Sequence, residues 1–223
     1  MDGTRALTFD VPYTLLEPRT AGPHTLVMAL HGMGQYPALM QRMLQPCLDL
    51  PCLWLFPRAP WPFEIRKPDK IVIGHAWYLY DGNQQSLRAS MDVAGAHLLG
   101  LQAEIAARHN IRQTILAGFS QGGYLAGYLG PRHPQVFSAA ACIAGRIKHE
   151  FHAGATAPAL GVKLAQFHGG RDPAVTPQAA RDAVAAARAL GFTDVRYTED
   201  PEAGHEISPG MGQSLRQWFQ ELL

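Results

Sequence analysis

Short, almost unbroken runs of apolar residues alternate along the chain with longer segments in which apolar residues recur every three or four positions. The unbroken runs are typical of strands that are covered on both faces, as in a parallel sheet between helices. They comprise residues 25–30, 52–56, 114–119, 136–143, 162–167 and, more weakly, 195–199. Residues 6–16 alternate loosely and contain Pro12, which favours an antiparallel strand at the edge of the sheet.

The intervening segments have the periodicity of helices. In residues 84–108 the apolar positions form one stripe along one face, made of Leu87, Met91, Ala94, Leu98, Leu101 and Ile105. Residues 177–190 form a second predicted helix, which Thr176 is placed to cap. Two further helices are predicted, one directly after Ser120 and one from Ser208 onward.

This alternation of strands and helices predicts an α/β fold with a doubly wound, mostly parallel sheet and helices on both faces. Right-handed crossovers place the C-terminal ends of parallel strands at one edge, so loops that follow strands become neighbours in space. No repeat or low-complexity stretch divides the chain, and we expect one domain over residues 1–223.

Composition excludes several classes of protein. Hydrophobic residues make up 47% and charged residues 17% of the chain, which is typical of a globular protein and not of a disordered one. A formal net charge of +1 provides no basic field for a nucleic acid. No apolar run has the length of a membrane span or the position of a signal peptide. The chain has an odd number of cysteines, namely Cys47, Cys52 and Cys142, and they lack the spacing of metal ligands. This favours reduced thiols in a cytoplasmic protein.

The candidate nucleophile is Ser120, in the G-x-S-x-G motif at residues 118–122. The motif joins a predicted strand to a predicted helix, as a nucleophile elbow requires. Residues two before and two after the serine need to lack side chains so that strand and helix can approach each other. The serine then lies at a helix N terminus, where free N–H groups favour negative charge. A glycine-rich turn with an ordinary serine is the alternative.

A serine nucleophile needs a general base, and the base needs an orienting acid. Asp172 follows the predicted strand at 162–167, and His205 follows the one at 195–199, each in a loop with glycine. The chain order Ser120, Asp172, His205 is that of α/β-hydrolases. Since each residue follows a strand, we expect the three side chains to meet at one edge of the sheet.

Other residues offer alternatives to this triad. Asp172 precedes Pro173 and fits an ordinary turn, while Glu150 and Asp200 are rival acids without a glycine-rich loop. Among the ten histidines, His149 and His152 follow a strand and are also candidates to line the site.

Acyl transfer also needs two N–H donors for the developing oxyanion. One is expected at Gln121, directly after the nucleophile. The other is expected at Met33, in a loop at residues 31–35 whose two glycines let the backbone bend. His31 is predicted to hold this loop in place, and a plain glycine turn is the alternative.

Taken together, these motifs resemble the phospholipase/carboxylesterase branch of the α/β-hydrolases, which includes acyl-protein thioesterases and small bacterial carboxylesterases. The resemblance rests on residues 30–34 (LHGMG), 57–60 (PRAP), 76–78 (AWY), 118–123 (GFSQGG), 168–173 (HGGRDP) and 204–205 (GH). It implies a minimal α/β-hydrolase fold without a large cap domain. It also implies Ser120 as nucleophile, His205 as base, Asp172 as orienting acid, and the amides of Met33 and Gln121 as the oxyanion hole.

Residues 57–83 are predicted to form a long loop that is rich in aromatic residues and proline. Loops of this length are commonly functional, and aromatic walls suit an apolar acyl group. Trp61, Trp77 and Tyr78 are therefore predicted to line the substrate pocket, although cover for the core is the alternative. This segment departs from the family pattern, as does Gln35, where the family usually has an aspartate.

The sequence thus predicts a serine hydrolase that cleaves carboxylic esters of small molecules through Ser120, His205, Asp172 and an acyl-enzyme. A thioesterase or lysophospholipase acting on acyl-thioesters or lysolipids is the alternative. Two further alternatives are a small-molecule receptor that retains the triad and an enzyme that transfers the acyl group to an alcohol or amine. No cofactor or metal motif is present, so we expect no cofactor and no metal. The oligomeric state stays open.

Overall fold

The computed structural model describes residues 3, 5, 9–19 and 21–223. Its strands are β1 (Tyr13–Leu16), β2 (His24–Leu30), β3 (Cys52–Pro57), β4 (Trp61–Arg66), β5 (Ile71–Ala76), β6 (Ile111–Phe119), β7 (Phe137–Ile143), β8 (Lys163–Gly169) and β9 (Val195–Asp200). Its helices are α1 (Pro37–Met43), α2 (Gln84–Ala106), α3 (Gln121–Arg132), α4 (Ala157–Leu160), α5 (Pro177–Ala189) and α6 (Pro209–Leu222).

Within the described residues, seven of these nine strands form one central sheet in the order β1-β3-β2-β6-β7-β8-β9. β1 runs antiparallel to β3, and every other pair in this sheet is parallel. This confirms the predicted α/β fold, its mostly parallel sheet and its antiparallel edge strand. Residues 6–8 of the predicted edge segment lie outside the described residues.

Both faces of the sheet are buried, which explains why its strands have almost unbroken apolar sequences. In β2, Val27 and Ala29 pack with α1 and α6, whereas Leu26 and Met28 pack with α2 and α3. α5 covers the same face as α2 and α3, further along the sheet over β7 and β8. The helices therefore lie on both sides, as the sequence predicts.

Residues 57–83, predicted to be a loop, instead contain an antiparallel hairpin of β4 and β5 outside the main sheet. In β4, half-buried Trp61, Phe63 and Ile65 alternate with exposed residues, which is the period of a strand with one covered face. Prolines at positions 57, 60 and 62 break this pattern in the sequence. The short helix α1 was also not predicted, because its seven residues span too few turns for a periodic signal.

Over the residues with described placement, every helix is too short or too polar to cross a bilayer.

Candidate active site

The turn from β6 into α3 brings the strand and the helix into direct backbone contact around Ser120. A Cβ atom on Gly118 would lie 2.1 Å from the carbonyl oxygen of Gly122. A Cβ atom on Gly122 would lie 2.5 Å from the carbonyl oxygen of Leu30. Neither position has room for a side chain, which is the steric reason for glycine on both sides of the serine.

Ser120 itself has a strained backbone, with φ 52° and ψ −115°. Such a conformation costs about 1–3 kcal/mol in a residue other than glycine, and the surrounding structure has to maintain it. The Ser120 N–H donates to the Ile143 carbonyl at 2.8 Å, and the Ser120 carbonyl accepts from Tyr124 N–H at 3.0 Å. The side chain is thereby raised above the C-terminal edge of the sheet.

Three side chains from three strand ends meet at this edge. His205 Nε2 lies 2.9 Å from Ser120 Oγ, and His205 Nδ1 lies 2.8 Å from Asp172 Oδ2. The carboxylate of Asp172 can only accept a hydrogen bond, so the ring proton of His205 lies on Nδ1 and is donated to it. Nε2 is then left with a lone pair that faces the serine hydroxyl. The His205 side chain is about one quarter exposed, so solvent and substrate can reach it.

Asp172 is held by its other oxygen. Oδ1 accepts from the backbone N–H groups of Ala174 at 2.8 Å and Val175 at 2.9 Å, and the side chain is fully buried. These two donors fix the carboxylate so that Oδ2 faces the ring of His205. His168, which the sequence analysis did not assign to the site, supports the same turn by donating from Nε2 to the Val175 carbonyl at 2.8 Å.

The loop after β2 provides one N–H group without a protein acceptor. The N–H groups of Gly32, Gly34 and Gln35 donate to Gln35 Oε1, the His75 carbonyl and the Gly32 carbonyl respectively. Within residues 32–35 this leaves the Met33 N–H unpaired. Gln121 N–H, in the first turn of α3, also has no acceptor among the described residues.

The side chains of Gln35 and Gln121 hold backbone segments around the site, which the sequence did not reveal. Gln35 Oε1 holds Gly32 at 2.9 Å and so shapes the loop that carries Met33. The Gln121 side chain accepts from Trp77 N–H at 2.8 Å and donates to the Tyr78 carbonyl at 2.9 Å. Amide side chains of this kind have no spacing signal, since their partners are backbone groups distant in sequence.

His31 anchors the same loop as a neutral imidazole. Nδ1 donates to the Gly32 carbonyl at 2.8 Å, and Nε2 accepts from Ala59 N–H at 3.0 Å. Burial lowers the pKa of His31 to about 4, because no carboxylate compensates a charged ring there.

We expect His31 to make the fold acid-sensitive. The unfolded chain takes up a proton at this residue near pH 6.5, whereas the folded chain does so only near pH 4. The free energy of unfolding therefore falls as the pH drops from about 6.5 to 4, by about 3 kcal/mol from this group. Urea titrations of the wild type and His31→Asn across this range measure the effect. A difference in stability between the two proteins that stays constant with pH would contradict it.

Two clefts meet at Ser120, and the exposed side chain of Met33 lines both. The apolar cleft, named for one of its walls, has a volume of about 390 Å³. Leu39, Met43, Phe119 and Ile207 provide this wall, and the lining also includes the polar residues Gln35 and Glu206. The tyrosine cleft has a volume of about 510 Å³, and its lining includes Tyr78, Tyr80, Tyr124, Arg146 and Lys148. Ser120 and His205 line both clefts, so the two substituents of a carbonyl group above Ser120 have separate places to bind.

The predicted pocket wall needs correction at two of its three residues. Tyr78 lines the tyrosine cleft. Trp77 is fully buried instead, and its ring N–H donates to the His31 carbonyl at 2.7 Å, so it supports the loop from below. Trp61 is half-buried on the hairpin opposite Ala76 and lines neither cleft. Trp77 directly follows β5 and packs into the core with residues of α2 and α3, whereas Trp61 begins β4 on the half-buried face of the hairpin.

No group of three or more His, Cys, Asp or Glu side chains in the described part of the chain is arranged to hold a metal ion. The three cysteines are buried and unpaired.

Comparison with known proteins places this chain in a family. A family model described as Phospholipase/Carboxylesterase matches residues 14–223. Acyl-protein thioesterase 2 from Zea mays superposes with a TM-score of 0.77 at 21% identity, over 94% of this chain and 98% of that chain. Esterase PE8 superposes with a TM-score of 0.80 at 24% identity, over 96% of this chain and 100% of that chain.

The carboxylesterase of Bacillus cereus shares the fold at lower identity, with a TM-score of 0.72 at 12%, over 96% of this chain and 95% of that chain. No curated protein sequence matches this chain significantly. At these identities the structures establish the α/β-hydrolase fold, whereas the family model spans almost the whole sequence. The chain therefore belongs to the phospholipase/carboxylesterase family of α/β-hydrolases and is a hydrolase.

Proposed function

We propose that the chain is a serine esterase, built as one domain over residues 1–223, which cleaves carboxylic esters of small molecules through an acyl-enzyme. The observation that carries this proposal is the position of the His205 ring, whose two nitrogens lie 2.9 Å from Ser120 Oγ and 2.8 Å from Asp172 Oδ2. Nucleophile, base and orienting acid are then connected in the order that acyl transfer requires.

In the first half-reaction, His205 Nε2 removes the proton from Ser120 Oγ while this oxygen attacks the carbonyl carbon. Negative charge develops on the carbonyl oxygen, and the N–H groups of Met33 and Gln121 stabilise it. The C–O bond to the alcohol then breaks, and His205 gives its proton to the leaving alcohol. The acyl group stays on Ser120 as an ester.

In the second half-reaction, a water molecule takes the place of the alcohol. His205 Nε2 removes a proton from this water as its oxygen attacks the acyl carbon. The bond to Ser120 Oγ breaks, the serine regains its proton from His205, and the carboxylic acid leaves.

The same chemistry cleaves thioesters and lysolipids, which are the second candidate class. One solved structure with this fold is named an acyl-protein thioesterase, and another is named a carboxylesterase. Oxygen esters and thioesters of matched acyl length separate the two classes through their kcat/KM values.

A fluorophosphonate tests the assignment of the nucleophile directly. We expect one phosphonyl group per chain, attached to Ser120, and loss of ester hydrolysis in proportion to labelling, because only an activated serine attacks this phosphorus. Intact-protein and peptide mass spectrometry measure both quantities, with urea-unfolded protein as the unlabelled control. Attachment to another residue, or turnover by fully labelled protein, would refute the proposal.

A further inference from the structure

Two cations line the tyrosine cleft, and the triad does not use either of them. Arg146 and Lys148 follow β7, whose C-terminal end lies beside the elbow that carries Ser120. Their loop is packed tightly against this elbow, since a Cβ atom on Gly145 would lie 2.9 Å from the Ser120 carbonyl oxygen. Gln166 Nε2 holds the Gly145 carbonyl at 3.0 Å from within the sheet. The two cations therefore have fixed positions next to the reacting atoms.

One carboxylate, that of Glu150, orients both cations without lining the cleft. It accepts two hydrogen bonds from Arg146, at 2.9 and 3.0 Å, and lies 2.5 Å from Lys148 Nζ. Among these three side chains, two positive charges against one negative charge leave an excess of one positive charge. The carboxylate of Asp172 also acts on the cleft through Tyr124, but it is hydrogen-bonded to His205 and to two backbone N–H groups. Among the described residues that line the tyrosine cleft, none is acidic.

This excess charge is buried, which is unfavourable unless an anion balances it. The Lys148 side chain is only 4% exposed, and its Nζ lies 5.0 Å from the centre of the Phe151 ring. Burial lowers the pKa of Lys148 although Glu150 acts in the opposite direction, so the carboxylate compensates the ammonium group only in part. Arg146 is about one quarter exposed and retains N–H donors that Glu150 does not occupy.

We propose that the tyrosine cleft is an anion subsite in which Arg146 and Lys148 bind a carboxylate carried by the ester substrate. The excess of a single positive charge fits a carboxylate monoanion better than a phosphate dianion. The other substituent of the carbonyl group then lies in the apolar cleft. This inference rests on the proposed esterase function and adds the substrate class, an ester with a carboxylate on its acid or its alcohol part.

Matched ester pairs test the subsite on both sides of the carbonyl. Monoethyl glutarate against ethyl pentanoate places the carboxylate on the acid part, and 4-(butanoyloxy)butanoate against butyl butanoate places it on the alcohol part. For the wild type we expect the charged member of one pair to have a kcat/KM about tenfold or more above its neutral partner, since a hydrogen bond to a charged group has this effect. Salt should reduce this preference.

Variants locate the preference in the structure. Lys148→Met and Arg146→Gln should each lower the charged-to-neutral ratio of kcat/KM by about tenfold. Lys148→Arg keeps the charge and should retain most of the preference. Lys163→Met, at the start of β8 and exposed, is the matched control and should leave the ratio unchanged. Two outcomes would overturn the subsite while the esterase function stands. One is that the wild type prefers the neutral ester in both pairs. The other is that Lys148→Met and Arg146→Gln leave the charged-to-neutral ratio of kcat/KM unchanged.

A binding measurement separates the two proposals if none of these esters is cleaved. Calorimetry with glutarate should detect binding to the wild type and its loss in Lys148→Met. Absence of turnover together with this binding would refute the esterase function and support the subsite, whereas no binding would refute the subsite as well. A further carboxylic ester carries a phosphate group in place of the carboxylate and is otherwise the same. A higher kcat/KM for this ester than for the carboxylate ester would refute the assignment of a monoanion.

Discussion

Replacing Ser120 by alanine is expected to reduce kcat for ester hydrolysis by about 10⁴-fold or more. The substitution removes the oxygen that forms the acyl-enzyme, and a water molecule in its place is neither positioned nor activated in the same way. The two free N–H groups and both clefts stay in place, so a small residual rate above the uncatalysed reaction should remain.

The fold of Ser120→Ala should be intact. Within the described residues the hydroxyl has one hydrogen-bond partner, His205 Nε2, and the strained backbone is maintained by bonds of the main chain. Alanine can take the same φ at a similar cost, so the free energy of unfolding should change by less than about 1 kcal/mol. Stopped assays at high enzyme concentration measure the rate, and urea titration measures the stability.

Ser214→Ala is a matched control for this experiment. Its hydroxyl donates within α6 to the Gly210 carbonyl at 3.1 Å, far along the chain from the elbow. We expect full activity in this variant. More than about 10% of the wild-type kcat in Ser120→Ala would show that another group is the nucleophile, since losses for true nucleophiles are far larger.

The sequence was sufficient to predict the parallel sheet and the convergence of its loops. Strands such as β2 and β6 are apolar on both faces because helices cover both, and this leaves a signal that needs no tertiary information. Ser120 and Asp172 each follow such a strand, whereas His205 follows the more polar edge strand β9. The topology brings the ends of all three parallel strands together. The distances between them required the structure, but their proximity followed from the order of elements.

Other features depend on contacts that leave no local pattern. Trp77 resembles a pocket residue in sequence, yet the hairpin turns it under the loop of His31, where it is fully buried. The side chain of Gln121 also contributes to the site, because its hydrogen bonds hold the backbone of residues 77 and 78. Arg146 and Lys148 would count as ordinary charged residues until the structure brings them to the cleft beside the nucleophile. Packing at this level is set by the approach of distant segments.

Replacing Asp172 by asparagine is expected to lower kcat by about 10⁴-fold without a change of fold. The backbone N–H groups of Ala174 and Val175 both donate to Oδ1, so the amide oxygen of the asparagine has to take that place. The opposite orientation would bring an NH₂ group against two donors, at a cost of about 1–3 kcal/mol for each unpaired group. The NH₂ group therefore faces His205 Nδ1.

This orientation inverts the tautomer of the imidazole. With a donor opposite Nδ1, the ring has to accept there, and its proton moves to Nε2, which lies 2.9 Å from Ser120 Oγ. A ring that carries a proton at Nε2 cannot remove the proton of the serine. The downfield proton resonance of the Nδ1–H bonded to Asp172 should disappear from the NMR spectrum of Asp172→Asn, and labelling by a fluorophosphonate should slow in parallel with hydrolysis.

Asp182→Asn, on the exposed side of α5 and hydrogen-bonded to Gln178, is the corresponding control and should have wild-type activity and an unchanged spectrum in this region. The double variant Ser120→Ala with Asp172→Asn makes the argument stricter. If His205 and Asp172 act only through the serine, the second substitution should cause almost no further loss, because residues of one catalytic unit are strongly non-additive. A further loss of about 10²-fold or more in the double variant would mean that Asp172 acts on the reaction by a route that does not involve Ser120.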